Sequence, residues 1–219
     1  MKAPSSATVS PVLAPRSPRL VLAAGVALAL ITAYFLLWPL VPIGPACTLP
    51  TILCAELPTS ATRLAEVLSS PVNSPDLWRA HLYLDFVYVV AYVLVLGARV
   101  PLPVYRFVFL GGLFDVLENV GLLAALGEAP SVPLSSAIRL AAIGKFALLG
   151  SVSVAILTEL PFAAPLWPRV RPWLTVALAL VVMACAVELE PRPALVLITL
   201  ACVRSVAEAA RAVRRSAAA

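Results

Sequence analysis

Three stretches of this chain place ionisable side chains inside sequence that is otherwise almost wholly apolar. In the stretch 80–97, His81, Asp85, Tyr88 and Tyr92 recur at steps of four, three and four. That spacing sets them on one narrow stripe of a helix. In the stretch 107–126, Asp115, Glu118 and Asn119 form a D-x-x-E-N motif on a single helical face. Gly111 lies on the same side, with Gly112 and Gly121 flanking it, so a neighbouring helix can approach closely. In the stretch 137–160, Lys145 is interior and Arg139 lies near one end. Carboxyls beside an ammonium suit proton transfer, general acid–base catalysis or the holding of an anion. Asp85, Asp115, Glu118 and Lys145 are therefore the candidate catalytic residues. His81, Tyr88, Tyr92, Asn119 and Arg139 are the candidate substrate-binding residues around them.

The elements that must position these groups follow from composition. The chain has 219 residues, of which 62% are hydrophobic and 12% charged. An ordinary soluble domain is roughly 45–50% apolar and roughly 25% charged. Lipid is the solvent that accommodates so much apolar surface, and it demands helices whose backbone bonds are internal. The fold class expected is all-α, a polytopic transmembrane helical bundle. The apolar runs are about 20–41, 80–97, 107–126, 137–160, 173–189 and 193–209. The first run exceeds the ~7–15 apolar residues of a cleaved signal peptide. Residues 1–19, rich in Pro and Ser, read as a disordered tail, 42–79 as an outer loop, and 210–219 as a basic tail. Ala61, Leu64, Val67 and Leu68 have helical spacing, as an interfacial amphipathic helix within that loop would.

Charge gives the orientation. With six spans and both termini in the cytoplasm, the inner segments hold Lys2, Arg16, Arg19, Arg99, Arg106, Arg169, Arg171, Arg204, Arg211, Arg214 and Arg215. The outer segments hold only Arg63, Arg79 and Arg192. This is the asymmetry of the positive-inside rule, and Trp38 and Trp78 at the outer boundary with Trp167 and Trp173 at the inner one agree with it. The formal net charge of +5 is thus topogenic and implies no nucleic acid. The expected location is the cell membrane, the inner membrane if the source is bacterial. Cys47 and Cys54 then share the outer loop, where a disulfide is one reading and two unpaired thiols the other. Cys185 and Cys202 read as packing residues within spans.

In that orientation Asp85, Glu118 and Lys145 lie at similar depth in the outer half of the bilayer, with Asp115 about one turn deeper. Carboxylates in a span cost roughly 2.5–3.5 kcal/mol each, and Leu, Val or Phe return only about 0.3–0.6 each. The 107–126 helix is near break-even alone, so it needs partners, and Lys145 is the obvious one. Three carboxyls face that one lysine, with His81 and Arg139 only at the rim. Either a carboxyl keeps its proton, or water or a cation enters the pocket. A hard-cation site of Asp85, Asp115, Glu118 and Asn119 stays open as an alternative.

The order of Asp85 to Tyr92, D-x-x-E-N, and then an intramembrane lysine resembles a group of bacterial multi-pass membrane proteins without an established activity. The resemblance covers about residues 57–150 and implies a membrane bundle but no reaction.

No G-x-S-x-G, H-E-x-x-H, P-loop or G-x-G-x-x-G occurs, and a single histidine excludes His-rich zinc or haem ligation. Three functions fit. One is an intramembrane enzyme acting on a lipid-like substrate, with Asp85 or Glu118 as acid or base and Lys145 holding an anionic group. Another is a structural or accessory protein whose ionic cluster sets helix packing. The third is a small proton-coupled carrier, disfavoured because the last two runs hold no counterpart of the cluster. The partners expected are the lipid bilayer and a lipid-like ligand. The sequence names no cofactor and sets no oligomeric state.

Overall fold

A computed structural model of the chain describes residues 17–40, 51–159, 167–187 and 191–218. Among the described residues it contains eight helices and no strand: α1 (Pro18–Leu37), α2 (Thr51–Glu56), α3 (Ala61–Leu68), α4 (Pro75–Gly97), α5 (Leu102–Gly127), α6 (Val132–Thr158), α7 (Trp167–Val187) and α8 (Arg192–Ala217). The tail before residue 17, Cys47, Glu188 and Glu190 lie outside the described residues.

Each long helix after α1 begins before its apolar run, and the residues at its start say why. Proline stands in the first turn of α1, α4, α5, α6 and α8, where its missing N–H is not needed and its fixed φ suits the helix. The Ser74 and Ser131 hydroxyls accept from the Leu77 and Leu134 amides at 3.2 and 3.3 Å, which caps α4 and α6.

The helices α1, α4, α5, α6 and α8 are each long and apolar enough to cross a membrane. They form a closed ring in which α5 packs on α4, α4 on α1, α1 on α8, α8 on α6 and α6 on α5. Leu30, Val90, Leu117 and Leu140 point outward, as a lipid-covered surface requires. The chain is an integral membrane protein. The glycines expected to allow close approach do so. A Cβ on Gly111 would stand 2.7 Å from Leu149 of α6, and one on Gly121 2.7 Å from Ile138 of α6.

Helix α7 lies outside the ring against α6, and its apolar stretch is the shorter Arg171–Ala184. Its level is set by two contacts. Thr158 and Thr175 share a hydrogen bond of 2.8 Å, and Gly150 faces both Val182 of α7 and Ala194 of α8. Helix α7 therefore runs antiparallel to α6. Arg204 of α8 bonds the carbonyls of Ile156 and Leu157, so α8 runs parallel to α6. Only five residues of α7 follow Val182, about 7.5 Å of rise. The tip of α7 thus reaches the level of Lys145, while α6 continues about 20 Å further to Val132.

The space above that tip is filled by the loop after α1. Leu53 and Leu57 join Ala142, Phe146, Val182 and Ala194 in one buried cluster. The segment expected to be a polar outer loop therefore dips into the bundle. Helix α3 forms where expected, with Ser60 capping the Arg63 amide at 3.0 Å. Its Leu64, Val67 and Leu68 are buried against Trp78, Leu82, Leu122 and Ile138. Its apolar face covers protein, and Trp78 is part of that core at 0% exposure, not of a lipid-facing belt.

The opposite end is fastened by ions. Arg99, between α4 and α5, is 2% exposed and sits 2.6 Å from Glu208 and 3.8 Å from Glu159. Arg204 pairs with the same Glu208 at 2.9 Å, and its bonds to Ile156 and Leu157 satisfy terminal carbonyls of α6. Helix α8 then continues through Arg211, Arg214 and Arg215.

Candidate functional site

Inside the ring, α5 and α6 bring D-x-x-E-N against Lys145. The lysine Nζ donates to Asp115 Oδ1 at 3.1 Å and to Glu118 Oε1 at 3.0 Å. A third carboxylate, Glu56 Oε2, stands 3.2 Å from the same nitrogen. The side chains of Lys145, Asp115, Glu118 and Glu56 are between 0% and 8% exposed. The ammonium thus occupies the centre of the carboxylates, the position a hard cation would need. It also lies 4.7 Å from the Phe146 ring centroid.

Helix α4 completes the site from the other side of α5. The Tyr92 hydroxyl donates to Asp115 Oδ2 at 2.7 Å, so both oxygens of Asp115 are engaged. The Asn119 amide donates to Asp85 Oδ2 at 2.7 Å, which links Asp85 to the D-x-x-E-N face. Gly112 makes this approach possible, because a Cβ there would stand 2.6 Å from Val93.

The stripe on α4 divides between two neighbours. At about 100° per residue, Asp85 and Tyr88 differ by roughly 60° around the helix. Asp85 and Tyr92 face α5. Tyr88 and His81 face α1, where Phe35 meets them at ring distances of 6.1 and 5.2 Å. His81 also meets Tyr34 at 5.3 Å. Its Nδ1 donates to the Leu77 carbonyl at 2.9 Å, and its Nε2 is buried without a hydrogen-bond partner among the described residues. His81 and Tyr88 therefore form an aromatic wall beside the cluster. Arg139 makes no hydrogen bond or ion pair with the described residues of the cluster, and is half-buried at its rim.

Glu56 was not among the residues expected from sequence. It lies in the Pro-rich 42–79 segment, and its signal is the short run Thr51–Leu57, in which one acid interrupts apolar residues. Burial pushes the Glu56 carboxyl above the usual carboxylate range; Lys145 pulls it back and Asp115 adds repulsion. Three carboxyls, Glu56, Asp115 and Glu118, stand within 3.2 Å of one ammonium, and a fourth, Asp85, joins them through Asn119. A neutral cluster holds three protons on those four groups. Such a site can store, give and accept protons while its geometry is fixed.

Cys54 is disulfide-bonded, two residues before Glu56. Two clefts of about 320 and 480 Å³ lie elsewhere, one lined by Val21, Leu94 and Tyr105, the other by Leu123, Gly127 and Leu134. Neither includes a residue of the cluster. No protein-family model matches the chain, and neither does a curated protein or a solved structure.

Proposed function

We propose that this integral membrane protein is an intramembrane acid–base enzyme acting on a lipid-like substrate. In this reading Asp115, Glu118 and Asp85 exchange protons, Lys145 holds their geometry and attracts an anionic group, and Tyr92 and Asn119 orient two of the carboxyls. The observation that carries it is the excess of acid. One carboxylate would satisfy Lys145, yet four buried or half-buried carboxyls converge there. A purely structural ion pair has no use for the surplus, which costs desolvation. The surplus is what a site needs if it must hold a removable proton in a dry environment. The level of the cluster, with the tip of α7 below and a short loop helix above, suits a substrate arriving from one leaflet. By the positive-inside expectation that leaflet is the outer one. A Cys47–Cys54 disulfide, one of the two readings of that loop, belongs to the same proposal, as the tether of the covering loop.

The test is turnover. The purified chain is placed in vesicles of its host's total polar lipids, and the lipids are followed by mass spectrometry. The expected result is a change in at least one lipid class that is lost in Glu118→Gln protein of unchanged melting temperature. Identical lipid profiles with and without the wild-type protein would overturn the enzyme reading.

The structural alternative has one observation in its favour. The cluster is densely packed, and neither cleft touches it. It predicts that neutralising the cluster in balanced pairs restores a stable protein with no lost function.

A further inference from the structure

We infer that Lys145 is the binding centre for the acidic headgroup of an amphiphile, and that Glu56 is a built-in occupant which the headgroup displaces as α2 lifts. The inference rests on the lipid-substrate reading and names the class of that substrate.

Three observations carry it. First, Glu56 is the one cluster acid that does not come from a ring helix. Asp85, Asp115, Glu118 and Lys145 are fixed on α4, α5 and α6, whereas Glu56 ends the six-residue α2. Helix α2 sits over the ends of α7 and α8 through the small cluster of Leu53 and Leu57. Second, the exchange is of one acid for another. Replacing the Glu56 carboxyl by another acidic group, each able to hold or release a proton, keeps the number of acids that Lys145 faces unchanged. Third, the acceptors around Nζ outnumber its donors. Asp115 Oδ1, both oxygens of Glu118 and Glu56 Oε2 stand 3.0 to 3.2 Å from it, and an ammonium has only three N–H groups. A buried acceptor without a full hydrogen bond is costly. A headgroup carrying both an oxyanion and an O–H, as a phosphate monoester does, supplies the anion for Lys145 and a donor for Glu118 Oε2. The acyl chain follows the apolar residues that α2 uncovers, Ala142 and Phe146.

The site in this structure is therefore the closed form. The disulfide at Cys54 restrains α2 close to Glu56 and holds down the open population. A ligand that needs the open form binds more weakly by the fraction of molecules that are open.

The experiment is a binding measurement on the full chain in a neutral detergent, by native mass spectrometry, and does not depend on turnover. The probes are phosphatidate, oleate, phosphatidylcholine and inorganic phosphate. Wild-type protein is expected to bind phosphatidate and to discriminate against phosphatidylcholine and free phosphate. Glu56→Ala is expected to bind phosphatidate about tenfold more tightly, because the competing side chain is gone. Cys54→Ser, which leaves every cluster residue in place, should move affinity in the same direction and serves if Glu56→Ala fails to fold. The paired variant Lys145→Met with Glu118→Gln should lose acidic binding while keeping its fold. Tighter binding of oleate than of phosphatidate supports the anion site and assigns it to carboxylate headgroups. Equal binding of acidic and zwitterionic lipids, or no gain in both Glu56→Ala and Cys54→Ser, overturns the inference. Selective acidic binding without lipid turnover keeps this inference and removes the enzyme; turnover without acidic selectivity does the reverse.

Discussion

One ammonium with carboxylates at 3.0 to 3.2 Å, all nearly without exposure, makes Lys145 the residue on which the interior depends. Removing it alone leaves several acids facing one another in a dry space. Lys145→Met is therefore expected to lower stability by about 3–5 kcal/mol, the usual consequence of breaking a buried ion pair on one side. Adding Glu118→Gln removes one of the abandoned charges and should recover a good part of that loss. Thermal unfolding of the two variants in detergent measures both values, and a double variant no more stable than the single one would mean that the pair is not coupled. The residues Asp85, Asp115, Glu118, Asn119 and Lys145 were legible because each interrupts a long apolar run. Glu56 was not, because six residues are too few to show a period. Arg99 and Glu208 are 109 positions apart in the chain, and their pairing leaves no local trace. Arg99 reads as one more topogenic charge until the fold buries it.

Helix α2 is the element whose docking should depend on pH. Glu56 faces Lys145 from α6 and Asp115 and Glu118 from α5, with Asp85 of α4 beyond Asn119. Its carboxyl is raised chiefly by burial, against the pull of Lys145. Free in water it titrates near the ordinary value of about 4.3. The docked form thus binds the proton more tightly than the undocked form. Docking is then at full strength below the free value and weakens as pH rises through the docked value. Hydrogen exchange of the Leu53–Leu57 amides, corrected for intrinsic rate, should show protection falling as the pH is raised. The fall should disappear in Glu56→Gln; the same pH profile in both proteins would assign the effect to another group. The long helices were legible from apolar length, but their starts followed proline and serine caps that hydropathy ignores. Helix α3 was legible from its period. Its burial was not, since an apolar stripe does not say whether lipid or protein will cover it.

At the scale of the molecule, five helices close a ring, α7 packs outside it, and both α7 and the start of α8 reach only part-way along α6. Ala129, which follows α5, and Pro191, which precedes α8, lie on the same side, yet at very different depths. A membrane-impermeant maleimide added on that side should label Ala129→Cys and leave Pro191→Cys unlabelled, each read against the parent protein. Equal labelling would mean that α7 and α8 cross fully. Six apolar runs were visible in the sequence, but a run of apolar residues records length and not level. The level came from Gly150 meeting Val182 and Ala194.

The parallel pairing of α6 with α8 carries a further consequence, for the order of assembly. Every acid of the buried cluster is translated before Lys145, and α8, which closes the ring, follows α6 in the chain. Between those moments the nascent chain holds Lys145 and its acids beside an open flank, where α1 and α6 await α8. The acidic helices are thus secured by an early partner, and the barrel-like enclosure around them is sealed from the carboxyl-terminal side.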